Sequence, residues 1–95
     1  MAGENKKIKI TISGRVQMVG FRYFTVNLAA RLGIRGYVKN LPSGKVEIVA
    51  QGSEDKLKDM IDSVRRGPPA AEVLSIKVDR TFDTLEEFEN FDVRI

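Results

Sequence analysis

The order of elements predicted from the chain is strand, helix, strand, strand, helix, strand, with a short strand at the end. That order predicts an α+β sandwich built on a split βαβ unit. Three observations predict it. Apolar residues alternate over Ile8, Ile10 and Ile12, and again over Leu74, Ile76 and Val78, the period of a half-buried strand. They recur at helical spacing over Phe21, Phe24, Leu28 and Leu32, and over Leu57, Met60, Ile61 and Val64. Each helical segment has a single apolar face, so two helices on one side of an antiparallel sheet bury every stripe.

The elements follow in order. Residues 1–5 read as a flexible tail, and the alternation from Ile8 to Ser13 forms the first strand. The first helix opens at Phe21 and stops at Gly33, a favourable residue just past a helix end. Arg35 to Asn40 and Lys45 to Gln51 flank Leu41-Pro42-Ser43-Gly44, whose proline and glycine mark a hairpin turn. Ser53 caps the second helix, with Glu54 and Asp55 in its first turn, where the positive dipole end favours acidic side chains. Arg65 and Arg66 suit the other end, and Gly67-Pro68-Pro69 terminates it. Leu74, Ile76 and Val78 make a fourth strand. Phe91, Val93 and Ile95 make the last, after a polar connection through Asp83 to Glu87. This is the ferredoxin-like arrangement, a single domain over residues 6–95, and many unrelated activities share it.

Composition narrows the chemistry. The 95 residues include no cysteine and no histidine, which removes thiolate nucleophiles, disulfides, the commonest zinc ligands and the usual general base. No metal site or cofactor is expected. Neither a spanning apolar stretch nor a signal peptide is visible, so a cytoplasmic monomer with no membrane partner is the expectation. A net charge of +3 favours anionic partners without specifying one.

The run from Ser13 to Arg22 narrows it further. Gly14 and Gly20 let the backbone bend between strand and helix, so that the N–H groups of Arg15, Val16, Gln17, Met18, Val19 and Gly20 can converge. The helix beyond adds free N–H groups and a positive dipole end. Arg22 lies in that first turn, where a cation opposes the dipole at a cost of up to about 1 kcal/mol. A bound anion reverses the penalty, and a guanidinium fork suits two phosphate oxygens. The run is therefore expected to cradle a phosphate. Asn40, at the end of the second strand, can accept from a water and hold it in line. A carboxyl phosphate releases a carboxylate whose conjugate acid has a pKa of roughly 4, so it needs no general acid. Positioning and charge stabilisation suffice for such a leaving group.

At these residues the chain resembles the acylphosphatase family. The family pattern G-x-V-Q-G-V-x-F-R is matched at Gly14, Val16, Gln17, Val19, Phe21 and Arg22. A second block is matched at Gly36, Tyr37, Val38, Asn40, Gly44, Val46, Glu47 and Gly52. Gly67-Pro68-Pro69 and the final Phe91-Asp92-Val93-Arg94 also look familial. The resemblance implies hydrolysis of acyl phosphates, with Arg22 binding phosphate, Asn40 orienting the water, and inorganic phosphate or sulfate as a site ligand. It departs from the pattern at Met18, where the family usually has glycine. A position requiring φ > 0 would cost a methionine roughly 1–2 kcal/mol. An allowed conformation would instead lay a flexible apolar side chain over the site.

Plainer readings stand beside these. Arginines early in helices are usually solvated, and an asparagine before a Pro-Gly turn usually serves the turn. Gln17 is expected to hold the loop by bonding backbone, and Arg15 is as well explained by solvation as by long-range attraction. The phenylalanines are expected in the core. An RNA-binding module of this fold would display aromatics on its central strands. The first and third strands here have none, so no nucleic acid is expected. A non-hydrolytic anion-binding domain is the other rival. Acylphosphatase-like modules of that kind begin larger carbamoyl-transfer proteins, whereas this chain is expected to stand alone.

Overall fold

The computed structural model describes residues 5–95, so the expected tail lies, apart from Asn5, outside the described residues. The chain forms β1 (Lys6–Arg15), α1 (Phe21–Leu32), β2 (Arg35–Asn40), β3 (Val46–Gly52), α2 (Glu54–Arg66), β4 (Glu72–Asp79) and β5 (Phe91–Arg94). The strands make one sheet in the order β4-β1-β3-β2-β5. This matches the α+β ferredoxin-like expectation element for element. Among the described residues, no helix is long and apolar enough to cross a membrane.

Ile8, Ile10 and Ile12 of β1, with Val46, Ile48 and Ala50 of β3, project from the same face and are almost wholly buried. They meet Leu28 and Ala29 of α1 and Leu57, Met60 and Val64 of α2. Side chains of this size contribute about 1.5–3 kcal/mol each when fully buried. Thr25, buried among them, donates its hydroxyl to the Phe21 carbonyl at 2.8 Å and leaves no stranded donor. Gly33 ends α1 as expected, its N–H donating to the Ala29 carbonyl. Ser53 occupies the cap position of α2, but its side chain makes no capping bond.

Two expectations need correction. The sheet is mixed rather than antiparallel, because β5 runs parallel to β2. The chain leaves β4 at the end of the sheet where β1 begins, since Asp79 pairs with Lys9. It then crosses to the opposite edge and enters β5 beside Gly36, at the start of β2. The second correction concerns Leu74, expected on the buried face of β4 but 73% exposed. The β1–β4 register slips between Ser13 and Gly14, so that Leu74 has no counterpart and Val73 takes the inward position.

Gly14 makes that bulge possible. Its φ is +126°, and a Cβ there would lie 2.2 Å from the Glu72 carbonyl oxygen and 2.8 Å from the Leu74 nitrogen. Neither backbone atom can yield without breaking the ladder. Gly14→Ala is expected to lower stability by roughly 2–4 kcal/mol. Urea denaturation followed by circular dichroism measures it, and a loss under about 1 kcal/mol would show that the bulge relaxes easily.

The crossing from β4 to β5 covers the sheet face opposite the helices. Lys7 Nζ donates to the carbonyls of Thr84 and Glu86, both at 3.0 Å. Lys9 Nζ lies 5.3 Å from the Phe82 ring centre. Phe88, expected in the core, is buried on this far face beside Tyr37, with ring centres 6.1 Å apart. Arg94 stacks over the Tyr37 ring at 4.1 Å and pairs with Glu86. Burial, then the hydrogen bond its hydroxyl donates to Glu47 at 3.0 Å, pushes the Tyr37 pKa up to about 12.

A pH dependence follows from that shift. The unfolded tyrosine ionises near 10, so between about pH 10 and 12 the folded chain holds a proton that the unfolded chain has lost. Stability is fully present below that window and falls as pH rises through it. Tyr37→Phe is expected to flatten this alkaline loss in urea titrations across the window. An unchanged slope would assign the loss to other groups.

Candidate active site

The loop after β1, the start of α1, the last residue of β2 and the middle of β5 surround one cavity of about 400 Å³. Val16 is 1% exposed and anchors the loop to the core. Met18 follows at φ 62° and Gly20 at φ 81°, two left-handed residues that reverse the chain into the helix. The position that the family pattern gives to glycine does require positive φ in this chain. Its methionine side chain is at the same time fully exposed, at the mouth of the cavity.

Relief of that strain is testable. Replacing Met18 by glycine removes roughly 1–2 kcal/mol of left-handed strain and adds about 0.5–1 of unfolded-chain entropy. Met18→Gly is therefore expected to raise Tm by a few degrees, since ~1 kcal/mol corresponds to about 4–8 °C in a domain of this size. A lower Tm in a calorimetric scan would show that methionine contacts hold the loop.

Gly20 caps α1 without a side-chain hydrogen bond, and the first turn has no acidic residue. The Phe24 N–H reaches the Gly20 carbonyl at 3.0 Å, which leaves the N–H groups ahead of it outside the helical ladder. Arg22 is exposed beside them and enters no salt bridge among the described residues. This end of the helix thus gathers donors and a cation with no carboxylate to neutralise them. Such an arrangement favours an anion.

Asn40 closes the opposite wall. Its Oδ1 is buried and has no hydrogen-bond partner among the described residues. The turn beyond it does not use that side chain. Backbone bonds close it, from the Leu41 N–H to the Lys45 carbonyl at 2.8 Å and from the Gly44 N–H to the Leu41 carbonyl at 3.0 Å. Gln17 ties the two walls together, its Nε2 donating to the carbonyls of Leu41 at 2.8 Å and Lys45 at 2.9 Å. The loop and the hairpin that carries Asn40 are thereby held in register.

Val16, Met18, Gly20, Arg22 and Asn40 all line the cavity. Gln17 points into the hairpin instead, and Val19 packs partly buried against the core. Arg15 stays on β1, exposed and paired in register with Glu72, and does not line the cavity. Tyr23, Val26 and Val93 also line it and were not singled out from the sequence. Tyr23 and Val26 are three apart on one helix, a spacing that shares a side with the first turn. Val93 reads in the sequence only as part of the last strand and its familial segment, and it reaches the cavity through the parallel pairing of β5.

The comparisons with known proteins agree with one another. The acylphosphatase family profile matches residues 8–93. An acylphosphatase of Archaeoglobus fulgidus is 48% identical over 86 residues, 90% of this chain and 94% of that protein. One from Thermotoga maritima is 45% identical over 89 residues, 94% of this chain and 97% of that protein. Among solved structures, acylphosphatase from Bacillus subtilis superposes with a TM-score of 0.89 at 36% identity, covering 97% of this chain and all of that one. Full-length HypF in its phosphate- and nucleotide-bound form gives 0.88 at 28% identity, with 99% of this chain matching 12% of that one. Sequence and fold thus converge, and the chain belongs to the acylphosphatase family.

Proposed function

We propose that the chain hydrolyses the carboxyl–phosphate bond of acyl phosphates to a carboxylate and inorganic phosphate. One observation carries the reading most directly. The buried, unpartnered Oδ1 of Asn40 lines the same cavity as Arg22 and the uncapped start of α1. A cavity with cationic donors on one wall and a lone acceptor on the other suits an anion and a water together.

The phosphoryl oxygens accept from the loop and helix N–H groups and from the Arg22 guanidinium. Asn40 Oδ1 accepts a hydrogen bond from water and turns its oxygen lone pair toward phosphorus. The new P–O bond forms as the P–O bond to the acyl group breaks, and the electron pair leaves on the carboxylate. The water's proton passes to a phosphoryl oxygen. The donors hold the phosphoryl group and its charge in one orientation for in-line attack, and one such preorganised donor contributes about 10²–10³ in rate. No cofactor or metal enters these steps.

The same reading makes the protein a cytoplasmic monomer acting on a small molecule, with inorganic phosphate as product and site ligand. It involves neither membrane nor nucleic acid. The sheet face that RNA-binding domains of this fold use is here crossed by the β4–β5 connection, whose Phe88 is buried against Tyr37. Hydrolysis of benzoyl phosphate in excess chelator, with p-nitrophenyl phosphate as the ester control, tests the proposal. Fast anhydride cleavage, little ester cleavage and inhibition by phosphate are expected. A folded sample that binds phosphate and cleaves neither would be a binding domain instead.

A further inference from the structure

The cavity is larger and more apolar than a phosphoryl group requires. Its volume of about 400 Å³ lies in the range of pockets that enclose small organic ligands, roughly 300–1,000 Å³. The exposed large apolar side chains of the described residues are Met18, Tyr23, Leu74, Leu85, Val93 and Ile95. Met18, Tyr23 and Val93 line this one cavity, at 100%, 74% and 48% exposure. They come from the loop, the helix and β5, three elements with no common reason to strand apolar surface there. Val26 continues the same wall one helical turn beyond Tyr23. Among the described residues, Arg22 is the only charged one lining the cavity, and no carboxylate lines it.

We infer that Tyr23, Val93 and Met18 form a subsite for the acyl portion of the substrate, selecting neutral aromatic or branched aliphatic acyl phosphates over acetyl phosphate. The inference rests on the proposed hydrolysis and names its substrate class. With the phosphoryl group on Arg22 and the helix start, the acyl group extends toward this rim. There an apolar group removes the exposed surfaces of Tyr23 and Val93 from water, whereas an acetyl group is too short to cover them. An acyl group carrying a second charge finds no partner on the rim and loses hydration.

Kinetics on the full chain tests this with benzoyl phosphate and acetyl phosphate, in the wild type and in a Tyr23→Ser, Val93→Ser double variant. Both side chains are substantially exposed, and circular dichroism checks the fold. The benzoyl-to-acetyl ratio of kcat/KM is expected to fall about tenfold in the double variant, through KM for the benzoyl substrate. An unchanged ratio overturns the subsite. Calorimetric binding of phenylphosphonate and methylphosphonate separates this result from the fate of the hydrolytic reading. Tighter phenylphosphonate binding that the double variant loses supports the subsite even if neither acyl phosphate is cleaved, in which case hydrolysis alone falls. Cleavage of both substrates, with no phenyl preference to lose, leaves hydrolysis standing and removes the subsite.

Discussion

Arg22→Ala is expected to abolish measurable hydrolysis of benzoyl phosphate, a fall in kcat/KM of about 10³ or more, and to weaken competitive inhibition by inorganic phosphate. Among the described residues Arg22 is the only charged one lining the cavity, so its loss leaves that lining without a cation. The change should leave the fold intact. Arg22 is exposed, and removing a cation from the first turn of α1 relieves its opposition to the helix dipole by a few tenths of a kcal/mol, up to about 1. Arg22→Lys should recover only part of the activity, because an ammonium offers a point charge in place of a planar fork. The decisive pairing is activity against Tm. Loss of activity with an equal or higher Tm is the expected result, and retention of a tenth or more of the activity would remove Arg22 from the phosphate.

Asn40→Ala is expected to lower kcat by about 10²–10³ with little change in the phosphate inhibition constant. The side chain is assigned to the water, so the charge pairing of the phosphoryl group should survive its removal. Stability separates this role from the simpler one. An asparagine that held the turn would leave backbone groups unpaired when truncated, at about 1–3 kcal/mol. Here the turn closes through backbone bonds and Oδ1 is a buried acceptor without a partner, so truncation should leave stability unchanged or slightly higher. Full kcat in Asn40→Ala would end the assignment. A loss of stability matching the loss of activity would return the residue to the turn.

Much of this architecture was legible because it is local. The alternation through Ile8, Ile10 and Ile12, the stripe through Leu57, Met60 and Val64, and the stop at Gly33 depend on residues a few positions apart. The loop before Arg22 was legible for the same reason, and Gln17 does bond backbone carbonyls as its chemistry suggested. What escaped depends on partners far away in sequence. Leu74 turns outward because of a bulge against Ser13 and Gly14, which no period within β4 can report. Val93 reaches the cavity because β5 runs beside β2, and that direction follows from where the chain leaves the sheet. Phe88 was expected in the core and is buried, but on the crossing segment against the far face of the sheet rather than beneath the helices.

The strand order β4-β1-β3-β2-β5 also sets how the protein must acquire its form. Only the β2–β3 hairpin joins neighbours in both chain and space. β1 has no ladder partner until the chain reaches Val46, and its other edge waits for Glu72. Loop-closure entropy must therefore be overcome before most of the sheet rewards it, which predicts refolding on a slower timescale than helical bundles of this length. The wall that Val93 supplies comes from β5, the last of the described strands. During synthesis, the chain holds Arg22 and Asn40 long before it can enclose a ligand between them. Completion of the cavity therefore waits for the parallel pairing of β5 with β2.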